Sequence, residues 1–450
     1  MNKDDRMAMM AELPVHSVLI RMSLPMMISF FIQAMYNIVD SMFVARISEN
    51  ALTAVSLAFP MQQIVTAIAV GTATGVSAVW ARYMGMGDRK RASGAIHTMT
   101  TLSLAFTALF ILLGLFAARP ILNFQTNVRE IAEYGTTYLM INWCFSCGSI
   151  FNKFYEKLLV SAGRPNLSMI AMLTGALTNL IFDPLLIFGI GPFPELGIAG
   201  AAYATVGGQI LAAIVAFLLN RRYVADVRDD LLRPGFSPDA ALAIFRVGLP
   251  SIITMGLSSV TSFFINQILL VYSTTATAVY GVWMKLQNFC FMPTFGLNNG
   301  MVPLISYNYG AGRIDRVKRA MKLALIFSAA LLCVVAIVLE IIPGTILTLF
   351  SAGEQMRRIG MVCLRLSIIS LPFAAVSMIL ATSMQALDHS GYAMAINMLR
   401  QCLLLVGSFA LISAITHSQS LIWLAVPVTE IVTFLVSLAL YRRFRANMNM

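Results

Sequence analysis

Charged residues are scarce in this sequence. Only 11% of its 450 residues are Asp, Glu, Lys or Arg, whereas a soluble domain has roughly a quarter. No polar stretch is long enough to fold a large soluble catalytic domain. The net charge is +11, but the chain is too apolar for this charge to indicate a nucleic-acid partner. The low charge content therefore excludes most soluble classes of protein.

Histidine and cysteine are also few. The four histidines show no ligand spacing, and the six cysteines all lie in apolar segments. Cys144 and Cys147 form a lone CxxC pair without the further ligands that a metal or redox site needs. No stretch resembles a nucleotide-binding loop, and no cluster of acid, His and Ser residues indicates a membrane-embedded enzyme. We therefore expect no cofactor, no resident metal, no ATP drive and no enzymatic activity.

Apolar residues are abundant instead, at 58% of the chain. A helix needs about 20 of them to cross a bilayer, so the supply suffices for about twelve spans with short connections. The mixed polar start of the chain predicts no removable signal peptide. The predicted spans lie at 16–42, 54–79, 94–118, 132–159, 167–190, 196–219, 247–272, 276–306, 322–342, 359–385, 391–415 and 420–440.

The basic residues predict the orientation of these spans. With the N-terminus inside, most of the 31 lysine and arginine residues fall in inside ends and loops. Because lysine and arginine remain on the cytoplasmic side, we expect both termini in the cytoplasm. The protein would then be a multi-pass protein of a bacterial inner membrane.

The chain also repeats itself. Residues 21–91 align without gaps on residues 246–316, at an offset of 225. Each copy holds six predicted spans, an even number, so both copies run the same way through the bilayer. This predicts two six-helix lobes related by a pseudo-two-fold axis along the membrane normal. The expected boundaries are a first lobe at 1–222, a cytoplasmic linker at 223–245 and a second lobe at 246–450.

Two acidic residues in the first lobe are candidates for function. An ionisable group in hydrocarbon costs at least about 2.5 kcal/mol, so its presence suggests a role. Asp183 has Asn179 one turn before it and Pro184 after it, and Asp40 has Asn37 three residues before it. Together the four polar side chains could form an oxygen-rich pocket that takes a proton or a sodium ion.

Other charged residues within spans favour structural readings. Glu156 is flanked by Lys153 and Lys157, which indicates a local ion pair. Arg400 and Lys285 are expected to pair with carbonyls or acids across helices. The role of Glu430 is left open between structure and function.

Five motifs follow one another along the chain: Leu24-Pro25, Gly85-x-Gly87, Ala162-Gly163-Arg164-Pro165, Asn179-x-x-x-Asp183-Pro184 and Asn308-Tyr-Gly310-Ala-Gly312. In their order and spacing they resemble those of the multidrug and toxic compound extrusion (MATE) family, over nearly the whole chain. The resemblance implies twelve helices in two lobes, and export of cationic amphipathic compounds in exchange for protons or sodium ions. It also implies that Thr205 joins the pocket.

The distribution of acids is similar to that of the DinF-like and MepA-like branch of this family. Predicted spans seven and ten have no acid, and the positions that match Asp40 and Asp183 are Ile265 and about Gly407. The coupling site, with a possible sodium ion at Asp40 and Asp183, is therefore expected in the first lobe. Met and aromatic side chains suit promiscuous surfaces. The candidate cargo-cavity residues are Met35, Tyr36, Met255, Met284, Phe289 and Met292.

The alternative is a flippase for lipid-linked precursors, whose cavity should carry several cationic side chains for pyrophosphate. Here the basic residues lie mostly in inside loops, which favours efflux. The expected partners are small organic cations and the lipid bilayer, and the protein is expected to act as a monomer.

Overall fold

The structure is a computed structural model that describes residues 5–45, 47–349 and 353–447. Within these ranges the side chains of 5–8, 37–42, 45, 49, 259, 349 and 446–447 are not described. The described residues form helices joined by short loops, with no β-strand among them.

Twelve helical segments run along the chain in the places that hydropathy predicts, and we number them as spans 1 to 12. Spans 4, 10 and 11 are interrupted, span 11 by a π-helix at Leu399–Leu404. Short helices at Asp5–Glu12, Ala118–Gln125 and Pro343–Leu349 lie outside the spans. The spans are Val15–Ala45, Glu49–Gly85, Arg89–Phe116, Arg129–Cys144 with Cys147–Ser161, Pro165–Phe188, Ile198–Tyr223, Pro238–Leu270, Thr274–Gly310, Ile314–Ile341, Glu354–Ile368 with Leu371–Ala386, Ser390–Met398 with Leu405–Thr416, and Ala425–Asn447.

In the described part of the chain, nine of these helices are each long and apolar enough to cross a membrane, and the bent span 10 makes ten. Span 4 is broken between Cys144 and Cys147. Span 8, Thr274–Gly310, is a continuous helix of 37 residues that carries many polar side chains. The predicted all-α membrane architecture of twelve spans in two lobes is confirmed.

The two halves repeat the same helices at the offset of 225. Span 2 (49–85) maps onto span 8 (274–310), and span 3 (89–116) onto span 9 (314–341), without a residue of difference. Local contacts repeat as well. Ser48 and its counterpart Ser273 each cap the following helix, and Ser29 and Thr254 each donate to the carbonyl of the proline one turn earlier, Pro25 or Pro250.

The hydrophobic core is divided in a way that defines the lobes. One cluster consists of buried residues of the first lobe, between Val44 and Val206. Another consists of buried residues of the second lobe, between Ile265 and Val426. A third cluster contains residues of both lobes, such as Val76 and Ile244. The lobes therefore share a core at one end of the bundle and have separate cores at the other end.

The shared end carries the basic loops and the first helix, and we call it the basic end. There Arg316 donates from Nη2 to the carbonyls of Met10 and Leu13, at 2.9 and 2.7 Å. Between the lobes, spans 6 and 7 leave residues 224–237 as a connection. That connection is held against span 3, since Thr101 donates to Gly235 and His97 contacts Asp230.

Close backbone approach joins the lobes near the basic end. A Cβ on Gly71 would meet Ile252, and a Cβ on its repeat counterpart Gly296 would meet the counterpart Met27. Glycine permits such proximity between membrane helices. The same contact made twice, with the partners exchanged, indicates a two-fold relation between the lobes.

Candidate transport site

Asp183 lies at the centre of the first lobe with no exposed surface. Span 5 places it between Asn179, one helical turn earlier, and Pro184. The Asn179 amide donates from Nδ2 to Asp183 Oδ1 at 3.3 Å and to Thr205 Oγ1 of span 6 at 3.2 Å. The amide therefore connects the carboxylate of one span to the hydroxyl of the next. The structure thus brings together three of the five residues predicted for ion coupling.

The other two, Asn37 and Asp40, have side chains outside the described residues. Their backbone belongs to span 1, and the structure does not test their predicted place in the pocket. For the described residues, no group of three or more His, Cys, Asp or Glu side chains is arranged to hold a metal ion.

A cavity opens beside Asn179 within the first lobe. Its volume is about 80 Å³, and about 610 Å³ when all the space between its wall atoms and at its open mouth is counted. Spans 1, 4, 5 and 6 form its wall, and two of the coupling residues, Asn179 and Thr205, line it together with Tyr36. Polar groups converge here, because the amides of Gln33, Asn152 and Gln209 and the hydroxyls of Ser29 and Ser149 are also in the wall.

Of the six predicted cargo-cavity residues, only Tyr36 lies in the described wall of this cavity. Met35 is 48% exposed, and Phe289 is 49% exposed with its ring edge-on to Phe31 at 5.7 Å. Met284 packs against the core of the second lobe. Met255 and Met292 are half-buried in spans 7 and 8. The positions of Met and aromatic residues in the sequence therefore did not identify which residues line this polar cavity and which lie on the apolar surfaces of spans 7 and 8.

Sequence reasoning missed the contribution of span 4 to the cavity. Ser149, Asn152, Lys153 and Glu156 recur at three- and four-residue spacing, which places them on one helix face. Asn152 and Lys153 line the cavity, and Lys153 Nζ donates to Glu156 Oε2 at 2.9 Å. The predicted local ion pair is confirmed, and the polar spacing was the available signal that this face is turned inward.

The second lobe has no equivalent of the acidic site among its described residues. Ile265 is fully buried in its core, and Gly407 has open space where a side chain would be. Arg400 instead pairs with Glu430, through Nε contacts of 2.9 and 2.8 Å to the two carboxylate oxygens. The pair lies at the repeat counterparts of Gly175 and Thr205, which line the cavity in the first lobe. The expected pairing of Arg400 with an acid across helices is confirmed.

Comparison with known proteins gives matches over almost the whole chain. The sequence model of the MatE family matches residues 25–185 and 250–436. A FAD transporter of Shewanella oneidensis is 28% identical over 93% of this chain and 92% of its own. The multidrug export protein MepA of Staphylococcus haemolyticus is 24% identical over 98% and 96%.

A solved structure, an outward-facing multidrug resistance MATE family transporter of the MOP superfamily, has the same fold. It superimposes with a TM-score of 0.88 over 98% of this chain and 97% of its own, at 23% identity.

Proposed function

Since the chain belongs to the MatE family of efflux transporters, we propose that it is a secondary-active antiporter that exports cationic amphipathic compounds in exchange for protons or sodium ions. The carrying observation is the fully buried Asp183, held by Asn179 against Thr205 inside a membrane lobe. An intramembrane carboxylate is costly and is typical of ion pathways. We place the coupling site at Asp183, Asn179 and Thr205, together with Asp40 and Asn37 of span 1.

Asn179 supplies a physical link between ion binding and helix arrangement. Its Nδ2 donates to Oδ1 of the Asp183 carboxyl group, and its Oδ1 is buried without a hydrogen-bond partner among the described residues. A protonated Asp183 carries an O–H that can donate to that oxygen, and a sodium ion can be coordinated by it. Either event changes the hydrogen bond that Nδ2 donates to Thr205. The contact between spans 5 and 6 therefore changes as well. A bound ion shifts the equilibrium only by such a difference between two states.

The arrangement of the lobes indicates which side of the membrane this state closes. The core shared by the lobes lies at the basic end, and basic loops belong on the cytoplasmic side of a bacterial inner membrane. With both termini in the cytoplasm, the shared core closes the cytoplasmic side of this state. A monomer is sufficient for this cycle, because both lobes and the coupling site belong to one chain.

The flippase alternative is less well supported. A pyrophosphate group calls for several cationic side chains, whereas the described wall of the cavity contains one, Lys153. The family match also favours efflux.

Ethidium transport by purified protein in liposomes tests the proposal, with a proton gradient and a sodium gradient imposed separately. We expect one gradient to drive transport and Asp183→Asn to abolish it. Ser408→Ala, at the offset of 225 from Asp183 and directly after Gly407, is the matched control and is expected to retain transport. Full gradient-driven transport by the Asp183→Asn protein would exclude the assignment of the coupling site.

A further inference from the structure

The wall of the first-lobe cavity carries a positive charge. Among its described lining residues Lys153 is the only charged side chain, and Asp and Glu are absent. The side chain of Lys153 is 16% exposed and lines the cavity, so part of it remains accessible although it pairs with Glu156. An organic cation that enters this cavity therefore meets a lysine rather than a described carboxylate.

The charge of the surrounding cluster does not balance. Lys153 and Lys157 lie on either side of one carboxylate, Glu156, and all three are largely buried in span 4. In the described part of the chain, Lys153–Glu156 is the one ion pair in which these residues take part. Glu156 is the one carboxylate of this cluster, so it cannot balance both lysines when both are protonated, and an unbalanced buried charge is costly.

Hydrogen-bond donors stand beside this cluster. Asn152 precedes Lys153 in the wall and is 7% exposed, and its Oδ1 has no partner among the described residues. Rotation of an amide exchanges its oxygen and nitrogen, so Asn152 can present its Nδ2 to a ligand. Gln33 and Gln209 bring further amides to the same cavity. Ammonium and amide donors around a concave space are the groups that bind carboxylate or phosphate oxygens.

We propose that Lys153, Asn152 and the neighbouring amides form a subsite for an anionic oxygen group of the cargo, either a carboxylate or a phosphate. This inference rests on the proposed efflux function and refines its substrate class to organic cations that also carry an anionic oxygen group. The transporter then prefers compounds that carry an anionic group to matched compounds that lack it.

The internal repeat shows that the subsite is particular to the first lobe. At the offset of 225, Lys153, Glu156 and Lys157 correspond to Met378, Ala381 and Thr382. The second-lobe helix Leu371–Ala386, of 16 residues against 15 in Cys147–Ser161, keeps its place in the repeat without these charges. Span packing alone therefore does not require a Lys–Glu–Lys cluster at this position.

Two pairs of fluorescent compounds test the subsite in liposomes. Rhodamine 110 carries a carboxyl group, and rhodamine 123 is its methyl ester. Flavin mononucleotide carries a phosphate group, and riboflavin lacks it. The measured quantity is the transport rate of the anionic member of each pair divided by that of its partner, for the unaltered protein, Lys153→Gln and Glu156→Gln.

We expect Lys153→Gln to lower at least one of these ratios about tenfold, as for the loss of one hydrogen bond to a charged group. Glu156→Gln releases Lys153 from its partner and is expected to raise the same ratio. Lys285→Gln removes a lysine of span 8 outside the described cavity wall and is the matched control, with unchanged ratios expected. A change confined to the rhodamine pair identifies a carboxylate subsite, and one confined to the flavin pair a phosphate subsite.

Other results would overturn the subsite. If the unaltered protein transports neither anionic compound, or if Lys153→Gln leaves both ratios unchanged, the lysine binds no anion. Equal reductions by Lys153→Gln and Glu156→Gln would show that the pair only supports the helix. The broader proposal is tested separately, because failure to export rhodamine 123 counts against cationic cargo while the flavin ratio still reports on the subsite.

Discussion

Arg82 of span 2 and Asp388, in the loop before span 11, form an ion pair across the two lobes, with Nη1 and Oδ2 2.7 Å apart. Their side chains are 13% and 26% exposed. Asp388 has a left-handed backbone, with φ of 67°, and its repeat counterpart Gly163 has φ of 70°. The two lobes therefore share a loop geometry, and the second lobe adds a carboxylate to it that binds the first lobe.

Loss of this ion pair is expected to shift the balance between the state closed at the basic end and the state open there. Asp388→Asn removes the charge and keeps a residue that tolerates a positive φ. A partly exposed ion pair contributes up to about 1 kcal/mol, so its loss favours the open state. We therefore expect a cysteine placed at the basic end to react with a thiol reagent several-fold faster. Asp226→Asn, on the exposed connection near Arg89, is the control. Unchanged labelling would mean that the pair does not hold the lobes together.

Two glycines at the basic end predict a steric requirement for closure. A Cβ at Gly85 would meet the Tyr307 carbonyl oxygen, and a Cβ at the counterpart Gly310 would meet the Arg82 carbonyl oxygen. These contacts cross between the lobes, so Gly85→Ala and Gly310→Ala should prevent closure while each lobe still folds. We expect transport to fall at least tenfold with little change in expression. Gly94→Ala, at a helical position with open space, should retain transport, and equal loss there would point to a general packing defect.

The sequence predicts the spans and the repeat better than it predicts the cavity. Long apolar runs and a gapless offset identify the helices, although some helices extend up to nine residues beyond the predicted bounds, as span 7 does at its start. Which face of a helix turns inward depends on its rotation, and the break between Cys144 and Cys147 changes that rotation for the second half of span 4. From the sequence, Lys153 is therefore predicted only as a partner of Glu156 and not as part of the cavity wall. The Arg400–Glu430 contact likewise depends on the π-helix Leu399–Leu404, which leaves no clear sequence pattern.

The hydroxyl of Thr205 is expected to contribute to the coupling between the ion gradient and transport. It accepts the hydrogen bond that joins Asn179 of span 5 to span 6. Thr205→Val keeps the shape of the side chain and removes this acceptor. We expect gradient-driven transport to fall about fivefold to tenfold, the value of one such bond, while cargo binding without a gradient is retained. The control is Thr429→Val in the second lobe. Equal losses in the two variants would remove the special role given to Thr205.

The buried pair Arg400–Glu430 predicts a structural role in the second lobe. The two side chains are 8% and 5% exposed, and the Arg400 guanidinium lies over the Phe291 ring at 5.4 Å. Removing one partner leaves an unpaired buried charge, which costs about 3–5 kcal/mol, whereas replacing both by apolar groups is often neutral. We therefore expect Arg400→Met to lower the melting temperature in detergent strongly, and Arg400→Met combined with Glu430→Leu to recover most of the loss.

Transport by that double variant separates structure from coupling. The pair occupies the repeat counterpart of the first-lobe cavity wall, and its charges satisfy each other at hydrogen-bond distance. If ions act only in the first lobe, the double variant should retain gradient-driven ethidium transport within about twofold, since that difference corresponds to less than RT in free energy. A stable double variant that has lost coupling would instead place a second ion-sensitive element at Glu430.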